Sequence, residues 1–233
     1  MARYLPLEIL HLIAAELIHS SSNTVLPPYV LVCRRWQSVF GPLNYKQLRV
    51  HSSSFGTGSW KLTLAHFKSM LSRSTRCTIR RGMIKRIDYQ VNLPHDISDY
   101  EPSKVQVYSG RYTTVDAVTR ANDEAFSDGI TDSFKILASW PELHDLYVNI
   151  STAGREQWCE PRPTFYQTTT IIKLVLPPYR ARFLRNTLTL PGVQCIKLLV
   201  FGPDEERGIQ DHQIWPGTAL LIARSCPELK TFF

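Results

Sequence analysis

Leu5-Pro6-Leu7-Glu8-Ile9-Leu10, then Leu31-Val32-Cys33-Arg34-Arg35-Trp36, then Pro42-Leu43-Asn44-Tyr45 succeed one another in residues 1–50. Leu5, Ile9, Leu12, Ile13 and Leu17 recur at i, i+4, i+7, i+8 and i+12 and so share one helical face. Pro6 stands where the first turn begins, a place where its missing N–H costs nothing, and Glu8 suits the positive end of the helix dipole. Leu7 and Leu10 fall off this stripe, which makes sense only for a helix packed on two sides. The polar run Ser20 to Thr24 ends the helix, and Pro27-Pro28 imposes an extended or turn conformation. Tyr29, Val32, Cys33, Trp36 and Phe40 then trace a second helix that Gly41-Pro42 is expected to stop. Leu43, Tyr45, Leu48 and Val50 form a short third element leading onward. Three short helices in ~50 residues lie at the lower limit of independent stability. Such a module gains stability by burying apolar surface on a partner or on its own following domain.

The Leu-Pro start, the Val-Cys-Arg-x-Trp segment and their order resemble an F-box, the helical module that docks a substrate receptor onto the Skp-type adaptor of a cullin-RING (SCF) ubiquitin ligase. The resemblance implies an adaptor-binding surface made of Leu5, Pro6, Ile9, Ile13, Leu31, Val32, Cys33 and Trp36. Leu12, Leu17, Trp36 and Phe40 have an alternative use as mutual core, and the large ring of Trp36 can serve both. The stretch from Ser20 to Pro28 is longer and richer in proline than the linker of many family members, which leaves the angle between the first two helices open.

Beyond residue 50 a second pattern recurs. Trp140-Pro141-Glu142-Leu143-His144-Asp145-Leu146-Tyr147-Val148 parallels Cys226-Pro227-Glu228-Leu229-Lys230-Thr231-Phe232. Leu190-Pro191-Gly192-Val193-Gln194-Cys195-Ile196-Lys197-Leu198 has the same shape, as do, less clearly, Ile84, Ile87, Tyr89 and Val91. Each is a break followed by an alternating, strand-like end, and 172–176 supplies another such strand. Helices are expected over 62–72, over 116–139 with an interruption near Gly129, over 179–188 and over 217–225. The last is expected to be largely buried, because Leu220, Leu221, Ile222 and Ala223 are too dense for a surface helix. Helix, break and strand resemble the leucine-rich repeat. The units lie about 25 to 60 residues apart, against the 20–29 of a regular array, and Ser151 and Phe201 stand where regular repeats place asparagine. An ordinary mixed α/β sheet is the competing reading. The expectation is therefore an α/β chain with an F-box-like helical module over 1–50 and an irregular leucine-rich-repeat-like helix–strand solenoid over 51–233. Phe232-Phe233 falls inside the last strand, so the chain is expected to be a shortened gene product or to be capped by its partner.

Composition narrows the function classes. Of the 233 residues, 43% are hydrophobic and 20% charged, which marks a folded chain rather than a disordered one. No uncharged apolar run approaches the ~20 residues that span a bilayer, and Glu8, His11 and Glu16 interrupt any signal-peptide core. The expected location is cytoplasm or nucleus, with no membrane partner. Cys33, Cys77, Cys159, Cys195 and Cys226 are scattered without a C-x-x-C pair, so buried reduced thiols are expected, with no metal and no cofactor. No phosphate loop, zinc motif or nucleophile elbow is present. His144 is expected on an outward strand position, and Asp123, Glu124, Asp128 and Asp132 on a solvated acidic helix face. No residue qualifies as a catalytic acid, base or nucleophile, and the chain is expected not to be an enzyme.

The net charge of +7 is unevenly spread. Lys61, Lys68, Arg73, Arg76, Arg80, Arg81, Lys85 and Arg86 occupy 61–86 without an acid, whereas 101–150 holds eight acids against four bases. The basic run beside Phe55, Trp60 and Phe67 is the rival signal, since it can follow a phosphate backbone and stack bases. Its plainer use is a solvated helix face beside the seam of Leu62, Leu64, Phe67, Met70 and Leu71. The F-box resemblance implies a substrate-recognition subunit whose partners are a Skp-type adaptor, a cullin scaffold and a target protein that the sequence does not name. Nucleic-acid or chromatin binding through 61–86, and a structural repeat protein whose F-box-like segment is only a cap, are the alternatives.

Overall fold

The computed structural model describes residues 5–20, 32–53, 62–71, 75–95, 117–140, 145–154, 179–184, 189–202 and 212–233. Leu31, Pro27-Pro28, the strand expected at 172–176 and the end of the helix expected over 179–188 lie outside them. Two of the described helices come first. Helix α1 (Leu7–Ser20) begins just after Pro6, whose carbonyl accepts the Leu10 N–H at 3.2 Å. Helix α2 (Arg34–Lys46) follows an extended Cys33, whose carbonyl accepts the Gln37 N–H at 2.9 Å. Leu10 and Ala14 of α1 meet Val39 and Phe40 of α2 in a small sealed core, flanked by Ile13, Leu17, Trp36 and Leu43. Trp36 stacks on Phe40 with ring centroids 5.1 Å apart.

This core corrects two expectations. Leu10, which lies off the apolar stripe, is buried together with Ala14, whereas Leu12 on the stripe is exposed. Nor do Gly41-Pro42 stop α2, which continues through them to Lys46. An internal proline removes one backbone hydrogen bond and costs on the order of 3 kcal/mol. Anchoring on both sides offsets it, with Phe40 and Leu43 in the small core and Tyr45 against the main one. The chain passes from α2 straight into β1 (Gln47–His51), so residues 47–50 belong to the sheet.

The body of the protein is mixed α/β around one parallel sheet. Its other strands are β2 (Leu62–Thr63), β3 (Arg86–Asn92), β4 (Leu146–Ala153), β6 (Ile196–Phe201) and β8 (Thr231–Phe232), in the spatial order β2-β1-β3-β4-β6-β8. All five pairings are parallel. From β1 onward each long strand is laid beside its predecessor, and only the two-residue β2 steps back to the other side of β1. A second, two-stranded parallel sheet joins β5 (Tyr179–Ala181) to β7 (His212–Ile214).

Helices α3 (Leu64–Leu71), α4 (Thr75–Met83), α5 (Ala117–Ala138) and α6 (Pro216–Arg224) complete the described elements. Alternation along the strands sends Val50, Ile87, Tyr89, Val91, Val148 and Ile150 into the core with Leu64, Phe67, Phe126, Ile130, Phe134 and Leu137 of the helices. Between this sheet face and α3 and α5 lies a small cavity of roughly 10 Å³.

The expected interruption of α5 at Gly129 is absent; the helix runs unbroken through it. A Cβ at Gly129 would lie 3.2 Å from the Tyr89 hydroxyl and 3.3 Å from Ser52 Cβ and Val91 Cγ1. The Tyr89 hydroxyl donates to the Gly129 carbonyl at 2.7 Å. Glycine here marks close approach of helix to sheet rather than a break. The helix expected from Tyr179 is also replaced, by β5, in which Tyr179 and Ala181 are buried and Arg180 points out. Helix α6 buries Thr218, Ala219 and Ile222 but leaves Leu220 and Leu221 exposed, so it is amphipathic rather than enclosed. Helix α4 had no counterpart among the expected elements.

Candidate docking surface

The large apolar side chains that α1 and the approach to α2 leave in water gather at the start of the chain. Leu5, Leu7, Ile9, Leu12 and Val32 are between 41% and 66% exposed, while the four residues of the small core are at most 4% exposed. The helix pair has thus buried one apolar set for itself and left a second set exposed, in which Leu5, Ile9 and Leu12 belong to one stripe and Leu7 lies off it. Isolated exposed leucines are ordinary, but a group of them at one end of the chain is a candidate interaction surface.

Of the residues that the F-box resemblance implicates, Leu5, Pro6, Ile9, Val32 and Cys33 are exposed. Ile13 and Trp36 are half-buried against the small core, and Leu31 lies outside the described residues. Two distant stretches of sequence meet here, since the Arg35 guanidinium donates to the Leu5 carbonyl at 3.5 Å. Trp36 presents part of its ring outward and stacks the rest on Phe40, so it serves core and surface together. The mutual-core alternative holds for Phe40 and in part for Leu17, but not for Leu12. Periodicity located the stripe; it could not tell which flank the second helix covers.

The basic segment has a different fate. Arg81 donates to the Leu71 carbonyl at 2.8 Å and to the Ser139 carbonyl at 3.5 Å, and Arg80 donates to the Met70 carbonyl at 3.4 Å. These two arginines satisfy the carbonyls left over at the end of α3. Their guanidiniums also lie over the rings of Tyr45 and Trp140. Arg86 pairs with Asp88 at 2.8 Å and covers Tyr147 at 4.6 Å, while Gln47 donates to the other Asp88 oxygen at 2.7 Å. Lys68 and Lys85 are exposed; Lys61, Arg73 and the side chain of Arg76 lie outside the described residues.

The acidic helix face also divides. Glu124, Asp128 and Asp132 are exposed, but Asp123 is fully buried. Its carboxylate accepts from the Tyr179 hydroxyl at 2.5 Å, from the Arg182 amide at 3.3 Å and from Arg182 Nε at 3.1 Å. Burial pushes its pKa above the usual carboxylate value, outweighing the opposing pull of Tyr179 and Arg182. The neighbouring Asn122 accepts from the His95 amide and donates to the His95 carbonyl. Consecutive buried polar residues of α5 therefore fasten two separate chain segments. The sequence signal was present only as an odd polar pair on a helix whose other buried positions are mostly apolar or small.

Cys195 and Cys226 are buried free thiols, pushed up to about 11 and about 12 by burial, whereas Cys33 is exposed, contrary to expectation. Cys159, His144 and the side chain of Cys77 lie outside the described residues. Among the described residues no three His, Cys, Asp or Glu side chains converge on a metal-sized site, and no helix is long and apolar enough to cross a membrane. Comparisons with protein-family models, with curated proteins and with solved structures returned no match.

Proposed function

We propose that this chain is a non-catalytic substrate receptor whose N-terminal helix pair docks on the Skp-type adaptor of a cullin-RING ubiquitin ligase. The observation that carries the reading is the exposed apolar stripe of Leu5, Ile9 and Leu12, with Val32 exposed at the approach to α2, beside an already sealed core. Residues with the F-box order Leu-Pro and Val-Cys-Arg-x-Trp line or border that face. The stepwise parallel order β1-β3-β4-β6-β8 supports an irregular leucine-rich-repeat-like body behind it, in which each unit covers the last. The body would hold a target protein and the scaffold would bring the activated ubiquitin. Rate then comes from raised effective concentration, without an acid, base or nucleophile from this chain.

The test is a pair of charges in the open face. Leu5→Asp with Ile9→Asp should leave the fold intact, because both side chains are partly exposed and neither belongs to the small core. It should weaken binding to purified adaptor by about 2–4 kcal/mol, the scale of desolvated apolar anchors. Adaptor binding at wild-type strength by the double variant would rule the docking assignment out.

A further inference from the structure

The rim of the open face says something about the partner's chemistry. Helix α1 obeys the dipole rule, with Glu8 in its first turn. Helix α2 does not. Its first turn contains no acid and opens with Arg34 and Arg35, and its N-cap, Cys33, makes no side-chain hydrogen bond to the helix. Two cations thus stand at the positive end of a helix dipole, where charge of that sign is unfavourable. Arg35 spends a guanidinium N–H on the Leu5 carbonyl, which ties the start of α2 to the start of the apolar face. Arg34 is exposed, and among the described residues its guanidinium has no ion pair. It follows directly on the exposed Val32 and Cys33. Glu16, the other acid of α1, is exposed at the far end of the stripe that Leu5, Ile9 and Leu12 begin.

The open face is therefore an apolar strip with an unneutralised cation at the end where α1 and α2 begin. We infer that its occupant is a protein groove that is apolar along its floor and carries carboxylates on the rim opposite Arg34. Apolar contact supplies the affinity, while the carboxylates neutralise the start of α2 and fix which way round the partner sits. This rests on the docking reading above and names the chemistry of that same partner.

The experiment measures adaptor binding to the full chain at about 50 mM and about 500 mM salt, conditions that differ several-fold in Debye length. Wild type is compared with Arg34→Gln, Arg34→Glu and the off-site control Lys68→Glu on α3. Arg34→Glu should bind about tenfold more weakly at the lower salt, with Arg34→Gln between it and wild type, and the gap should close at the higher salt. Lys68→Glu should bind as wild type. If wild type binds the adaptor and Arg34→Glu binds equally at low salt, the carboxylate rim is refuted while the docking reading stands. If wild type does not bind the adaptor at all, both are refuted together.

Discussion

Asp123 shows how much one side chain can hold. It lies within α5 with no exposed surface and accepts three hydrogen bonds from the segment 179–182. Asp123→Ala takes away the acceptor of three hydrogen bonds, two of them from Tyr179 and Arg182 side chains, and denaturant melts should show a loss of about 2–3 kcal/mol. The pH dependence has a defined sign. The folded carboxyl titrates above its ordinary value, so the folded state holds its proton more tightly than the unfolded chain does. Its contribution is therefore fully present below the unfolded pKa and is lost as pH rises through the folded one. Asp123→Asn removes this titration, so wild type should gain stability relative to Asp123→Asn as the medium is acidified. A stability gap that widens against wild type on acidification would contradict the burial argument. Arg80 and Arg81 make the complementary point that a cation-rich run need not face an anion, since both are engaged by backbone carbonyls.

At the scale of elements, tertiary contact overrides local preference in three places. Proline inside α2 is tolerated because anchors lie on both sides of it. Glycine inside α5 is accommodated because the helix rides closely on Tyr89, Ser52 and Val91. In isolation Gly129→Ala should favour the helix by about 1 kcal/mol. Against that stands the crowding of a new Cβ at 3.2–3.3 Å from three core atoms. Overpacking of this kind costs about 1–3 kcal/mol, so thermal melts should show Gly129→Ala neutral to destabilising and Gly129→Val clearly worse, by 2 kcal/mol or more as an order of magnitude. A stabilised Gly129→Val would show that α5 can move away from the sheet. The third place is β5, where the pull of Asp123 and pairing with β7 make a strand of residues that read as helical.

Across the whole molecule, the small core of α1 and α2 is separate from the large one that joins the sheet to α3, α5 and α6. Among the described residues helix α1 makes its main contacts with α2, whereas β3 and β4 are paired on both sides. Native-state hydrogen exchange should therefore show α1 opening below the global unfolding free energy while β3 and β4 exchange only through it, and adaptor binding should slow α1 selectively. Equal protection of α1 and β4 in the free chain would tell against an N-terminal module awaiting a partner. Much of this layout was legible in the linear chain. The helical stripe from Leu5 to Leu17, the alternation of Ile87, Tyr89 and Val91, and the breaks before β4, β6 and β8 are local periodicities that backbone geometry translates directly into elements. The face of α1 left open, the fully buried Asp123, the close approach at Gly129 and the continuation of α2 past Pro42 were not legible. Each depends on which surface a distant segment covers, and periodicity describes a helix or strand without its neighbours. Sequence alone determined that there would be amphipathic N-terminal helices followed by strand-like segments of alternating burial. Only tertiary packing decided which apolar side chains were sealed inside and which remained to be offered, because burial is a property of pairs of surfaces.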